Sequence, residues 1–396
     1  MVSQPIKASP QSSNRAYSSS KKDSSIAQET FEYYSTSYFS FSCTKSQLFV
    51  GSWNIGGVSP PDNLNLDDFL DTKNSTADIY VIGFQEIVPL NPANILAPEN
   101  SNLSKKWNSL IQTALNKRIV TEDRPQKVEI GETQRIYPLK KDSSDFKCVI
   151  SKQMVGIFIT VWARTELHGY ISHPSVSCVG CGILGRLGNK GSVSIRFCLY
   201  ETSFCFVCSH LASGGKEGDE RYRNADAGHI LSRTQFLTER HLPRKILDHD
   251  RVIWLGDLNY RISLPEDTTR SLVIKNEWSI LLQNDQLKAE LKKGRVFEGW
   301  HEKEITFAPT YKYDENSDNY YGSNQNIKAK KMRDPAWCDR IIWFGEGLKQ
   351  INYDRFESKL SDHRPVRAIF VACIKVSRPS RETQSILLNG FPDSSI

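Results

Sequence analysis

Residues 252–259 read Val252-Ile253-Trp254-Leu255-Gly256-Asp257-Leu258-Asn259. Four large apolar residues in a row, then a glycine and two polar residues one apart, predict a strand buried on both faces that ends in reactive side chains. The pattern recurs. Runs at 48–53, 79–84, 156–162, 192–197, 204–208, 340–343 and 366–371 read as further strands. Between them lie amphipathic stretches. In 103–116, Trp107, Leu110, Ile111, Ala114 and Leu115 form one helical stripe, and 225–239 and 276–293 are the other helix candidates. Doubly buried strands separated by helices predict an α/β protein of two packed sheets covered by helices.

The chain has 396 residues, 39% hydrophobic and 24% charged, enough for a sizeable core. A net charge of +6 suits an anionic substrate, an anionic membrane surface or nucleic acid without choosing among them. No apolar run approaches the ~18–20 residues that cross a bilayer. Neither a secretory leader nor a lipidation signal is evident at the ends, so the expected location is intracellular and cytoplasmic, with peripheral membrane or nuclear association, and not secreted. Residues 1–45 are rich in Ser, Gln, Lys and Thr and read as a disordered segment. Residues 46–376 read as one domain and 377–396 as a flexible tail. Nine cysteines in a chain of this kind point to reduced thiols rather than a disulfide framework. Cys178-x-x-Cys181 and Cys205-x-x-Cys208 have zinc-like spacing, but 203–208 reads as a strand, whose positions i and i+3 face opposite ways. Packing thiols are expected there.

Reactive side chains fall just beyond the apolar runs. Asn54, Glu86, His210, Asp257 and Asn259 each follow one, and Asp362 and His363 precede the last. Strand ends of two sheets can converge on one rigid rim. If the extended conformation continues through Asp257-Leu258-Asn259, a carboxylate and an amide face one cleft about 7 Å apart. The same four residues from Gly256 read equally well as a turn. Ser361-Asp362-His363-Arg364-Pro365 gathers a carboxylate, an imidazole and a guanidinium, groups suited to a hard cation and to phosphate. The glycine-rich stretch 180–191 carries Arg186, Asn189 and Lys190 and can approach a phosphate through backbone amides, although it lacks the Walker ending.

Taken in order, these motifs resemble the inositol polyphosphate 5-phosphatases, members of the endonuclease/exonuclease/phosphatase superfamily. The matching segments are Ser52-Trp53-Asn54, Gly83-Phe84-Gln85-Glu86, Gly188-Asn189-Lys190-Gly191, Ser209-His210-Leu211-Ala212, Arg223-Asn224 and Trp254 through Arg261. They continue with Pro309-Thr310-Tyr311-Lys312-Tyr313, Pro335-Ala336-Trp337-Cys338-Asp339-Arg340-Ile341 and Ser361-Asp362-His363-Arg364-Pro365. Ile87-Val88-Pro89-Leu90-Asn91 and Lys216-Glu217-Gly218-Asp219-Glu220 look like the plant type I members. A stretch rich in Asn and Asp, 314–326, separates Lys312 from the basic segment 328–333.

The resemblance implies a four-layered α/β sandwich with two mixed β-sheets flanked by helices. It implies Mg²⁺ held by Glu86, with Asn54 and Asp362 assisting. It makes Asp257 the residue that orients and deprotonates water, and Asn259, His210 and His363 the groups that bind the phosphoryl oxygens, with Asp339 fixing the tautomer of His363. Tyr311, Lys312 and Lys331 would grip the neighbouring phosphate, Asn189 and Lys190 would approach the 1-phosphate side, and Arg261 and Arg223 would support the substrate. Expected substrates are phosphoinositide lipids, namely phosphatidylinositol 4,5-bisphosphate and the 3,4,5-trisphosphate, or soluble inositol polyphosphates. Nucleases share many of these elements. Tyr311-Lys312 and the Pro-Ala-Trp-Cys-Asp-Arg segment favour the phosphatase, so nucleic acid is not an expected partner. A catalytically dead phosphoinositide-binding module is disfavoured because each reactive position is filled.

Overall fold

A computed structural model describes residues 39–72, 77–97, 99, 101–117, 145–237, 239, 241–322 and 333–379. Residues 43–376 form a compact unit. One sheet has the order β10-β11-β1-β2-β4-β3 and the other β5-β6-β7-β8-β9. The first contains β1 (Phe39–Asn54), β2 (Ile79–Gln85), β3 (Phe146–Met154), β4 (Ile157–Arg164), β10 (Leu348–Arg355) and β11 (Val366–Pro379). The second contains β5 (Ile171–Gly180), β6 (Gly191–Leu199), β7 (Thr202–His210), β8 (Arg251–Asp257) and β9 (Asp339–Phe344). Both sheets are mixed. β1–β2 and β7–β8 are parallel, whereas β2–β4 and β6–β7 are antiparallel.

Alternation along the strands builds the layers. Val50, Val81 and Ile159 of the first sheet meet Ile195, Phe206 and Leu255 of the second in the central core. Their neighbours Phe49, Tyr80 and Ile82 point outward and pack with Phe69 of α1 (Asp67–Leu70) and with Trp107 and Ile111 of α3 (Asn102–Leu115), which follows the short α2 (Pro92–Leu96). On the other side, Cys205, Val207 and Trp254 pack with Ala227 and Ile230 of α4 (Glu220–Arg233). Leu287 of α7 (Gln286–Lys293), beyond α5 (Glu266–Ile274) and α6 (Trp278–Gln283), joins them. The result is helices, sheet, sheet, helices, as the motifs implied. A Cβ at Gly83 would stand 2.7 Å from Cys208 Sγ, so glycine there lets the sheets approach.

Three strands escape an apolar-run reading. β3, β5 and β10 are outermost in their sheets, and their residues are largely half-buried or exposed, so they mix polar with apolar residues. The 276–293 helix is in fact two. Asp285 interrupts it, capping α7 by accepting from Lys288 N at 2.8 Å. The carboxylate of Asp285 also receives Arg340 Nη1 at 2.9 Å, and Arg340 Nε reaches Glu302 at 2.8 Å, tying β9 to the outer helices through a fully buried guanidinium. The expectation of uniformly free thiols is corrected. Cys43 and Cys373, on the neighbouring strands β1 and β11, are disulfide-bonded, and the other seven cysteines are free. Cys205 and Cys208 lie in different cores, consistent with packing thiols.

His249, just before β8, is 4% exposed; its Nδ1 lies 2.9 Å from Lys245 O and its Nε2 accepts from Arg196 Nε at 3.3 Å. Burial above all, with the nearby Arg196 charge, pushes its pKa down to about 4. The unfolded histidine takes up its proton near pH 6.5, so between about 6.5 and 4 the unfolded state binds more protons. This contribution is complete above pH 6.5 and is lost as the pH falls through that window. Urea unfolding should therefore show about 2 kcal/mol less stability from this residue at pH 5 than at pH 7.5, and His249→Gln should remove that part of the slope.

Candidate active site

The register of the sheets gathers the strand ends. His210 pairs with Asp257 across the parallel β7–β8 pair, Asp257 with Asp339 across β8–β9, and Gly191 with His210 across β6–β7. In the first sheet Asn54 pairs with Gln85, next to Glu86. The two rims meet at one amide, for Asn54 Nδ2 donates to Asp257 Oδ2 at 2.9 Å and to Glu86 Oε1 at 3.5 Å. His210 Nε2 stands 3.2 Å from Asp257 Oδ2 and 3.8 Å from Glu86 Oε1. Ser361 Oγ donates to Asn54 O at 2.7 Å and accepts from His363 N at 3.2 Å, fastening the 361–363 loop to the end of β1. Glu86 itself has φ 53°, a left-handed conformation that costs a non-glycine residue about 1 kcal/mol or more and is held by Gly57 N donating to Glu86 O.

The Asp257-Leu258-Asn259 segment does not remain extended. β8 ends at Asp257, Asn259 adopts φ 58°, and Leu258 N and Asn259 N both donate to Cys338 O. The turn reading therefore prevails, with Leu258 fully buried. Asn259 N also donates to Asp257 Oδ1 at 3.1 Å. The Asn259 amide is fixed at both ends, with Nδ2 donating to Leu211 O at 3.1 Å and Oδ1 accepting from Arg261 Nη2 at 2.7 Å. A primary amide carries two N–H bonds, so one donor remains. Gly256 adopts φ 145° and a Cβ there would stand 2.1 Å from Ser209 O, so this parallel pair can close beneath the site only with glycine.

Charge follows from the same contacts. Burial works against an ionised Asp257, yet His210, His363 and Lys190 hold its carboxyl well below the usual range. Burial also works against a charged His363, but Asp339, then Asp257 and Asp362, hold it at about 9. His363 Nδ1 lies 2.8 Å from Asp339 Oδ2, which also accepts from Thr310 Oγ1 at 2.7 Å. Burial pushes Asp339 up, only partly offset by His363. The ring of Tyr311 lies against His363, centroids 4.6 Å apart, and the Arg261 guanidinium sits 4.6 Å from its other neighbour, the Tyr311 centroid. Lys312 is ion-paired with Asp362, and Lys190 Nζ contacts His210 Nε2. Burial pushes the Lys190 amine down, against the pull of Asp257 and Glu86.

These groups line one cavity of about 1200 Å³, which takes in Glu86, Lys190, His210, Asp257, Asn259, Arg261, Tyr311, Lys312, Asp362 and His363. Asn54 and Asp339 stand directly behind it. Two expected contacts do not face it. Arg223 is fully buried, donating to Gln286 Oε1 at 2.6 Å and to Gly214 O at 3.2 Å, so it braces Gln286, which accepts from Arg261 N. Asn189 turns back to its own loop, accepting from Ile183 N at 3.4 Å. Lys331 lies outside the described residues. Arg333 also lines the cavity, near Lys312 and Tyr311, and had no role assigned from sequence. Its only signal was its place in the basic segment before Pro335-Ala336-Trp337.

For a divalent cation, Asp257, Asp339 and His363 each bring one ligand atom within 4.8 Å of the others. His363 Nδ1 and Asp339 are already bonded to each other, however. Glu86 is more open, 28% exposed, with no lysine or arginine within 4.0 Å among the described residues. Glu86 and Asp257 flank the Asn54 amide as hard oxygen donors beside an open cavity, a set that fits Mg²⁺, which keeps several waters.

Residues 51–369 match the family model described as endonuclease/exonuclease/phosphatase family 2. The type IV inositol polyphosphate 5-phosphatase 9 of Arabidopsis thaliana is 57% identical, over 87% of this chain and 81% of that protein. The type I inositol polyphosphate 5-phosphatase 8 of the same plant is 48% identical, over 88% and 75%. This chain belongs to the inositol polyphosphate 5-phosphatases. It is a phosphoric monoester hydrolase of that family. Among solved structures, the 5-phosphatase domain of SPsynaptojanin in complex with inositol (1,4)-bisphosphate and calcium ion is 30% identical, with a TM-score of 0.69 over 93% of this chain and 96% of that one. Cimex nitrophorin, 20% identical with a TM-score of 0.58 over 83% and 99%, shares the fold.

Asp339→Asn replaces the acceptor that holds the His363 charge. Phosphate release should fall by about 10²-fold. The alkaline limb of the rate should move from near pH 9 toward about 6.5. A pH–rate profile beside wild type checks both.

Proposed function

We propose that the enzyme removes the 5-phosphate from inositol rings bearing adjacent 4- and 5-phosphates, in phosphatidylinositol 4,5-bisphosphate and the 3,4,5-trisphosphate and in soluble inositol polyphosphates, with Mg²⁺ as the metal. One observation carries this reading. The cavity has two sectors of phosphate-binding side chains, His210, His363 and Lys190 around Asp257, and Lys312 with Arg333 beside Tyr311. Two such sectors suit two neighbouring phosphates on one ring.

In this reading the scissile phosphoryl group lies against His210, His363 and the free N–H of Asn259, whose fixed donors offset charge as it develops. Asp257 accepts a hydrogen bond from the attacking water and orients it in line. A carboxyl held so far down is a weak base, so its proton transfer comes late. That is compatible with the loose transition state of phosphoryl transfer, in which positioning dominates. Tyr311, Lys312 and Arg333 hold the neighbouring phosphate, and the Lys312–Asp362 pair opens to admit it. Glu86, with Asn54 and Asp257 beside it, would hold Mg²⁺, which when bound neutralises phosphoryl charge and acidifies water.

With Mg²⁺, phosphate should be released from inositol 1,4,5-trisphosphate and from phosphatidylinositol 4,5-bisphosphate vesicles, and abasic DNA should remain intact. Chelation should abolish release and added Mg²⁺ restore it. Asp257→Asn should lower kcat by about 10²–10⁴-fold with KM little changed. Unchanged release by that variant would overturn the mechanism, and strict preference for either substrate arm would narrow the substrate class.

A further inference from the structure

The segment that follows Lys312 forms a hairpin at the cavity mouth, and nothing in the chemistry above uses its tip. Tyr313 pairs with Tyr320, and Tyr321 N donates to Lys312 O at 2.8 Å. Tyr313 N donates to Asp362 O at 2.9 Å, joining the hairpin to the catalytic loop. Beneath it lies Arg364, fully buried, its guanidinium carbon 3.8 Å from the Tyr313 ring centroid and its Nη2 donating to Ser317 O. The turn is therefore a fixed wall. Its tip places Asp314, Glu315 and Asn316 on the cavity lining, immediately beyond Lys312.

The other carboxylates of the lining each stand beside a basic side chain, Glu86 and Asp257 near His210 and Asp362 on Lys312, whereas Asp314 and Glu315 do not. Among the described residues, neither Asp314 nor Glu315 has a lysine, arginine or histidine partner within 4.0 Å. Lys359, which also lines the cavity, is paired instead with Asp318 at 2.6 Å. Asp314 lies two residues past Lys312, about 7 Å along the chain. In the site reading above the 4-phosphate lies at Lys312 and Arg333, and Asp314 and Glu315 follow directly beyond Lys312, so a phosphate at the next ring position, the 3-position, would approach this turn.

We propose that Asp314 and Glu315 act as a charge filter that disfavours a phosphate at the 3-position, making the enzyme selective for 4,5-phosphorylated rings over those that also carry a 3-phosphate. This rests on the site reading given above. Asp314 and Glu315 neither bind the substrate nor take part in the reaction. They raise the energy of one competitor by like-charge repulsion in a partly desolvated cavity, which is how specificity is gained without tighter binding of the preferred substrate.

The test compares wild type with the double variant Asp314→Asn/Glu315→Gln on two substrate pairs that differ only at the 3-position. The soluble pair is inositol 1,4,5-trisphosphate and 1,3,4,5-tetrakisphosphate. The lipid pair is phosphatidylinositol 4,5-bisphosphate and 3,4,5-trisphosphate, in vesicles matched in total charge with phosphatidylserine. In both pairs the kcat/KM ratio should shift toward the 3-phosphorylated member by about fivefold or more, with the other member changed by less than about twofold. The shift should shrink at high salt. Charge reversal in Asp314→Lys should enlarge it, and the single exposed variant Glu315→Gln, which leaves the packed residues untouched, should show part of it. An unchanged ratio in the soluble pair overturns the proposal, including the case in which only the lipid pair shifts, since the turn would then sense the membrane surface. Wild type that releases no phosphate from either 4,5-substrate would overturn the site reading itself, a different result from active wild type with an unmoved ratio.

Discussion

A carboxylate that is 2% exposed stays ionised only where fixed donors and cations surround it, and Asp257 is such a carboxylate. Every strand end near it contributes to that condition. Asn54 donates from β1, His210 approaches from β7, and His363, carried by the loop before β11, stands 4.0 Å away. The backbone at Asn259 adds a further donor. None of these groups has a reason to converge except the anion, and the anion would be intolerable without them. The parallel pairings matter for the same reason. They bring the carboxyl ends of β1 and β2, and of β7 and β8, to the same rim, whereas an antiparallel meander would scatter them.

The fold was legible where strands are buried on both faces and illegible where one side is wet. All eight strand runs read from the sequence form strands of the structure, because these strands, the edge strand β9 included, are buried along most of their length. β3, β5 and β10 carry the compositional noise of sheet edges, and no local pattern separates them from loops. The helix over 276–293 failed for another reason. Asn284-Asp285 interrupts an apolar period only weakly, and what decides the break is a tertiary partner, Arg340, 55 residues away. Long-range demands of that kind leave no trace in a local window.

The active site was legible as a set of residue types and less so as geometry. Asp257 and Asn259 reach the same cavity, but through a left-handed turn closed by Cys338 O rather than by strand alternation. Arg223 was expected, from the family resemblance, to support the substrate, yet it is buried as a brace for Gln286. Arg333 was hidden among three other basic residues of the same segment, and only the packed cavity singles it out. Fold alone would not have supplied the chemistry. A nitrophorin shares the sandwich at 20% identity, so the reaction has to be argued from the rim.

Two demands on the rim are met by different parts of the chain. The reacting groups hang from strand ends, where the sheet ladders fix the backbone. The hairpin that follows Lys312 is held by Tyr313 N donating to Asp362 O, and by side chains, Arg364 beneath Tyr313 and Arg355, whose Nη1 donates to the Tyr313 hydroxyl at 2.6 Å. Arg364 adjoins His363 in sequence, and Arg364 N donates to Thr310 O as Tyr313 N donates to Asp362 O, so the wall is registered against the catalytic loop. Its exposed tip can change charge while Tyr313, Tyr320 and the two arginines keep its position. Selectivity can therefore vary in this enzyme with little disturbance to the groups around Asp257, since the residues at the tip are separate from those that hold it.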